Sequence, residues 1–146
     1  TMHLVADQVT ERVEAPLIHI AEATGEAIRK AGFKRVGLLG TAFTMEHPFY
    51  RSRLENDFSL EVMIPEERSR GDVHRVIFEE LVRGVINPES KARYLEVCEE
   101  LASLGAEAII LGCTEIGMLL GPGDYHLPLF DTTEVHATAA VNWALG

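Results

Sequence analysis

The chain has 146 residues, 47% of them hydrophobic and 25% charged, enough to bury one domain-sized core in an ordinary globular protein. Its formal charge of -10, from 13 Lys and Arg against 23 Asp and Glu, argues against a nucleic-acid surface and against docking to an anionic membrane. Two cysteines, Cys98 and Cys113, make no disulfide framework, and no stretch reaches the roughly eighteen apolar residues of a membrane helix, so a reducing cytoplasmic setting is expected.

Taken in order, Leu4, Val5, Val9 and Val13 recur at helical spacing and predict an amphipathic helix that Thr1 caps or precedes. Pro16 to Ile20 reads as a short strand, and Ala21 to Ala31 as a helix stopped by Gly32. Arg35 to Gly40 is a buried strand. Thr44 is a candidate cap for a helix through Arg53, with Pro48 in its first turn, where proline is least disruptive. Leu60 to Ile64 is the next strand, closed by Pro65, and the polar run Glu66 to Asp72 reads as a loop. Val73, Ile77, Leu81 and Val82 mark a helix stopped by Gly84. A second helix runs from Pro88 to Leu104 with Tyr94, Leu95, Cys98, Leu101 and Leu104 as its buried stripe, which assigns Cys98 to the core.

Ala108 to Leu111 is a continuous apolar run between Gly105 and Gly112, the pattern of a strand covered on both faces. Cys113 follows at its carboxyl end, where open α/β sheets place their ligands. Unpaired cysteine is most often an inert buried hydrophobe. Here a strand-to-helix turn, with Gly112 before the thiol and Thr114 as a cap after it, is a setting that lowers a thiol pKa. A short helix to about Leu120, a turn over Gly121 to Asp124, a strand over Leu127 to Phe130 and a helix from Thr132 to Leu145 complete the chain. Strands alternating with helices predict a parallel sheet with right-handed crossovers.

Several spaced motifs, TMH at Thr1 to His3, GLLGTAFTMEHPFY at Gly37 to Tyr50 and LGCTE at Leu111 to Glu115, agree in order with one family. Across essentially its whole length the chain resembles the cofactor-independent aspartate/glutamate racemase superfamily. Glu115 after Cys113 and Thr114 fits the aspartate racemase branch, because the glutamate racemase branch typically carries His there. The resemblance implies an α/β fold with a doubly wound, parallel four-stranded sheet and remnants of a second similar domain. Residues 32–121 would form one domain, residues 1–31 a remnant of the first domain and linker helix, and residues 122–146 a return segment to it. Only Thr1, Met2 and His3 match the family's Asn-Thr-x-His segment, so the chain reads as the carboxyl-terminal part of a longer racemase.

Moving the α-proton of an amino acid without pyridoxal requires a base on one face of Cα and an acid on the other, prepositioned and shielded from water. The resemblance implies that Cys113 is one of two facing thiols, that no cofactor is needed, and that the chain forms a homodimer. Thr41, Thr44 and Thr114 lie where hydroxyl and amide donors converge on a substrate carboxylate, although each reads equally as a cap or turn residue. Thr1 and His3 match the family's first site motif. Glu115 either orients the thiol, accepts a substrate ammonium or stabilises a helix start. Arg83 matches the basic residue that relatives with dicarboxylate substrates carry at a helix end, and reads otherwise as a solvated side chain. Asp131, Thr132 and His136 match the family's last strand-to-helix turn. His47, His74 and Cys113 have no metal spacing, and there is no dinucleotide or phosphate-loop fingerprint.

The function these residues imply is interconversion of L- and D-aspartate, or glutamate, by thiol proton transfer. The alternatives are a related enzyme of hydantoin racemase, maleate isomerase or arylmalonate decarboxylase type, or an inactive ligand-binding fragment.

Overall fold

Four short apolar strands, Arg35–Leu39 (β1), Glu61–Met63 (β2), Ala108–Leu111 (β3) and Leu129–Asp131 (β4), pair all-parallel in the order β2-β1-β3-β4. The computed structural model describes residues 2–146. β1 and β3 carry the most apolar sequence and take the two central positions, the two places in a parallel sheet covered on both faces. Their register aligns Leu39 with Leu111, so both strands end at the same level and each runs into a glycine, Gly40 and Gly112.

The helices are Ala6–Thr10 (α1), Ile20–Lys30 (α2), Ala42–Glu46 (α3), Pro48–Phe58 (α4), Glu67–Glu79 (α5), Pro88–Ser103 (α6), Ile116–Leu119 (α7) and Thr132–Leu145 (α8). Single 3-10 turns cover Met2–Val5 and Leu81–Arg83. α2 packs against α4 and α8, and α5 against α6. Val36, Leu38, Leu54, Tyr94, Leu101, Ile109 and Ile110 form the centre of the core, and Cys98 is buried among them, as the α6 stripe requires. Burial pushes the Cys98 thiol up to about 12.

Five local expectations are corrected. Residues 16–19 are not a strand: no strand pairs with them, the carbonyl of Ile18 is instead 2.7 Å from His136 Nε2, and His19 caps α2 through its Nδ1. Residues 67–72 are helical rather than a loop, because their polar side chains face partners on other elements: Ser69 and Asp72 meet α6, and Arg70 meets Glu46. Thr44 does not start the helix before Arg53; Thr41 caps α3 and His47 caps α4, with Pro48 at its first position. The stripe Leu4, Val5, Val9 and Val13 is exposed around a helix of only five residues, with Ala6 as its buried contact. Leu104, placed in the α6 stripe, lies past the end of the helix and is exposed.

Candidate active site

In the strand order β2-β1-β3-β4, the connection after β1 leads to one edge of the sheet and the connection after β3 to the other, so the strand order reverses between these two parallel strands. Their carboxyl ends therefore open the crevice in which doubly wound sheets bind ligands. Gly112 N donates to the Leu39 carbonyl at 2.7 Å, which fastens the two loops side by side. The result is a cleft of about 270 Å³ with Thr41 and Thr44 from the β1 loop and Gly112, Cys113 and Thr114 from the β3 loop. His3 lines it from the amino-terminal turn and Thr132 from the start of α8, while Ile20, Phe49 and Tyr50 supply an apolar wall.

Thr41 Oγ1 accepts the Thr44 amide at 3.3 Å and lies 3.1 Å from Thr44 Oγ1, so the two hydroxyls form a paired polar lip. The Ala42 amide at the head of α3 donates to His74 Nδ1 at 3.2 Å. His74 thus holds the backbone that follows the β1 loop without lining the cleft.

Cys113 is half-buried. Its Sγ donates to Glu115 Oε2 at 2.9 Å, and Thr114 Oγ1 donates to the same oxygen at 2.7 Å. The thiol is pushed up to about 12, first by burial and then by the Glu115 carboxylate, against the amides of Thr114 and Glu115, which favour the thiolate. This corrects the expectation of a lowered thiol pKa. The turn does aim amides at the sulfur, but α7 has only four residues, and a carboxylate stands beside the sulfur. Thr114 does not cap α7 either, because its hydroxyl is committed to Glu115, and α7 has no side-chain cap. The two donors, Cys113 first, hold the Glu115 carboxyl below its ordinary range.

His3 stands edge-on to two other imidazoles, with ring centroids 4.6 Å from His19 and 5.5 Å from His136. Burial, then the neighbouring His19, His136 and Arg53, lower the His3 pKa to about 4, so the ring at the cleft is neutral. Burial and Arg53 also lower His19, against Glu22 and Asp7.

The structure thus brings His3, Thr41, Thr44, Cys113, Thr114 and Glu115 together. It does not bring Arg83, which is exposed at the end of the 3-10 turn Leu81–Arg83 and does not line the cleft. Thr1 lies outside the described residues. In the sequence Phe49 reads as an inward-facing helix residue and Ile20 as the end of a strand, and neither they nor Tyr50 read as part of the site. Tyr50 sits inside the quoted GLLGTAFTMEHPFY motif but reads there as an ordinary apolar helix residue; it is buried, and its hydroxyl donates to Thr24 Oγ1 at 3.3 Å. Among the described residues, no group of three or more His, Cys, Asp or Glu is placed to hold a metal ion. No described helix is long and apolar enough to cross a membrane.

A parallel α/β sheet with a thiol at its switch point and two hydroxyls lining the same cleft has the layout of open-sheet proteins, which take their ligands in that crevice. The chain belongs to the Asp/Glu/hydantoin racemase family, whose pattern matches residues 1–140. A solved structure from Yersinia pestis assigned as an Asp/Glu racemase is 44% identical over 99% of this chain, with a TM-score of 0.95. An aspartate racemase homologue from Pyrococcus horikoshii is 36% identical over 99% of the chain, with a TM-score of 0.92. The chain spans 63% of the length of each of these two proteins. An uncharacterised protein of Pectobacterium carotovorum is 28% identical over 143 residues, 94% of this chain and 91% of that one. The aspartate racemase of Picrophilus torridus, 23% identical over 86% of this chain and 52% of that one, shares the fold at a TM-score of 0.67.

Proposed function

We infer that this chain is the part of a cofactor-independent amino-acid racemase that carries one catalytic thiol, with aspartate or glutamate as substrate and Cys113 as the group that exchanges the α-proton. The observation that carries this reading is the placement of Cys113 in a cleft at the β1/β3 switch point, with its Sγ hydrogen-bonded to a carboxylate and the Thr41–Thr44 hydroxyl pair lining the same cleft. A substrate carboxylate is suited to that lip, because hydroxyl and amide donors solvate an anion without a buried cation beside it. The α-carbon then faces the sulfur. On this reading Thr41, Thr44 and Thr114 bind substrate oxygen atoms, His3 is a neutral hydrogen-bonding wall, and Thr1 is a further substrate contact suggested by motif position alone.

A second reading, a hydantoin-type ligand with no side-chain carboxylate, is favoured by the apolar wall of Ile20, Phe49 and Tyr50 and by the exposed position of Arg83.

The same reading includes three further proposals. Residues 32–121 act as one racemase domain, with residues 1–31 and 122–146 belonging functionally to a second one; β4 and α8 join these pieces physically by pairing with β3 and packing on α2. The protein pairs as a homodimer, which would cover Val9, Val13, Val141 and Trp143, all of them exposed. Its setting is the reducing cytoplasm, where the proposed chemistry keeps Cys113 as a free thiol.

The test is Cα deuterium uptake from heavy water by L- and D-aspartate, L- and D-glutamate and a 5-substituted hydantoin, followed by NMR, with the wild-type chain and Cys113→Ala. Uptake by an acidic amino acid that vanishes in the variant is expected. Uptake by the hydantoin alone would transfer the assignment to the second reading. A folded protein that exchanges none of these compounds would overturn both for this chain.

A further inference from the structure

Cys113 and Thr114 are adjacent in sequence, yet both side chains donate to one oxygen of the residue that follows, Glu115 Oε2, at 2.9 and 2.7 Å. A carboxylate oxygen offers two lone pairs, and both are taken here, so the group is held as an ionised acceptor. With the carboxylate ionised, the 2.9 Å contact requires the proton on sulfur, which makes the thiol the donor. A thiolate in the same place would set a full negative charge against that oxygen, with the cleft's neutral His3 and the Thr41–Thr44 pair offering no cation to offset it.

We propose that Glu115 is a positioning residue that keeps Cys113 in its protonated, proton-donating form, so that this thiol enters the reaction as the acid. The inference rests on the reading of Cys113 as an acid/base thiol and says which half of the exchange it performs first. When the substrate α-proton has left to a thiolate or carboxylate base on the opposite face, Cys113 supplies the replacement. The S–H bond breaks, the Cα–H bond forms and the electron pair stays on sulfur, which then recovers a proton from water. Burial is the larger contribution to the same state of the thiol, Glu115 comes next, and the two amides of the turn oppose both. Glu115 is the contribution that a single substitution removes without touching the core, since its side chain is only half-buried at the cleft edge.

The experiment is the pH dependence of alkylation by iodoacetamide, read by the mass of the Cys113-containing peptide so that buried Cys98 does not contribute. Wild type is compared with Glu115→Gln and Glu115→Asp. In Glu115→Gln the thiol loses its charged acceptor, and the rate near pH 8 is expected to rise about tenfold, the effect of one unit of pKa on the thiolate fraction. In Glu115→Asp the charge remains but is drawn back by one methylene, and a smaller rise is expected. An unchanged or slower rate in Glu115→Gln with a wild-type circular dichroism spectrum overturns the proposal. If that variant does not fold, an unchanged rate in Glu115→Asp does so. Alkylation needs no turnover, so a protein that fails the deuterium test still decides this one.

Discussion

Thr132 Oγ1 donates to the Leu111 carbonyl at 2.9 Å, tying the first residue of the closing helix to the last residue of the strand that delivers Cys113. Thr132 is 2% exposed and also lines the cleft. Thr132→Val keeps the shape but removes the hydroxyl's hydrogen bond to the Leu111 carbonyl, so a loss of about 0.5–1.5 kcal/mol is expected in urea unfolding, with Thr132→Ser recovering most of it. Equal midpoints for all three proteins would refute the role assigned to this bond.

Gly112 is required by close approach. A Cβ there would stand 2.8 Å from the Leu39 carbonyl oxygen and 3.0 Å from Leu38 Cδ1, and the first is backbone that cannot turn aside. Gly112→Ala is expected to cost about 1–3 kcal/mol by overpacking and to displace the neighbouring thiol. Chemical denaturation reads the first effect, and amide chemical shifts of residues 39–44 and 111–116 read the second. Unshifted amides with wild-type stability would show that the loops have room to spare.

The His3 cluster makes stability depend on pH. Its folded pKa of about 4 lies below the ordinary value of 6.5, and His19 is shifted the same way, so the unfolded chain binds more protons between these values. The contribution is present above about pH 6.5 and is lost as pH falls toward 4. Thermal melts of wild type and His3→Gln across this range should converge at the acid end. Parallel curves would mean that His3 does not couple to folding.

Arg93 spans two helices: its guanidinium reaches Asp72 at 2.9 Å and Ser69 at 2.8 Å on α5, and Glu96 and Glu100 at 3.1 Å on its own helix. These partners hold Arg93 firmly charged, the Asp72 hydrogen bond first among them. A lysine offers one ammonium and no fork, so Arg93→Lys is expected to lose about 1–2 kcal/mol, less at high salt, because the group is partly exposed. A Lys variant as stable as wild type would reduce the network to a surface feature.

Much of the fold was legible because it rests on short-range pattern. The apolar runs at residues 36–39 and 108–111 are too short for helices and are bounded by glycine at their carboxyl ends, which reads as strands covered on both faces, and the Cys98 stripe on α6 follows from helical spacing. Legibility failed where a partner far along the chain decides the backbone. Residues 16–19 have strand-like composition, but a strand needs a ladder; their carbonyl found His136 instead, 118 residues away from Ile18. Residues 67–72 look like a loop because polarity alone cannot tell a loop from a helix whose polar face is matched by another helix.

At the site, the sequence by itself determined that a thiol would stand at the end of a buried strand, followed by a hydroxyl and a carboxylate, with a second hydroxyl-bearing loop after β1. The residue order and the strand pattern fix these placements locally. The tertiary structure alone decided that β1 and β3 are neighbours in register, so that Thr41 and Cys113 share one cleft, that Tyr50 and Thr132 complete its walls, and that Arg83 lies outside it. It also decided the sign of the thiol's shift. Motif order showed amides at the sulfur, whereas burial and the position of Glu115 Oε2, neither of which residue spacing encodes, outweigh them.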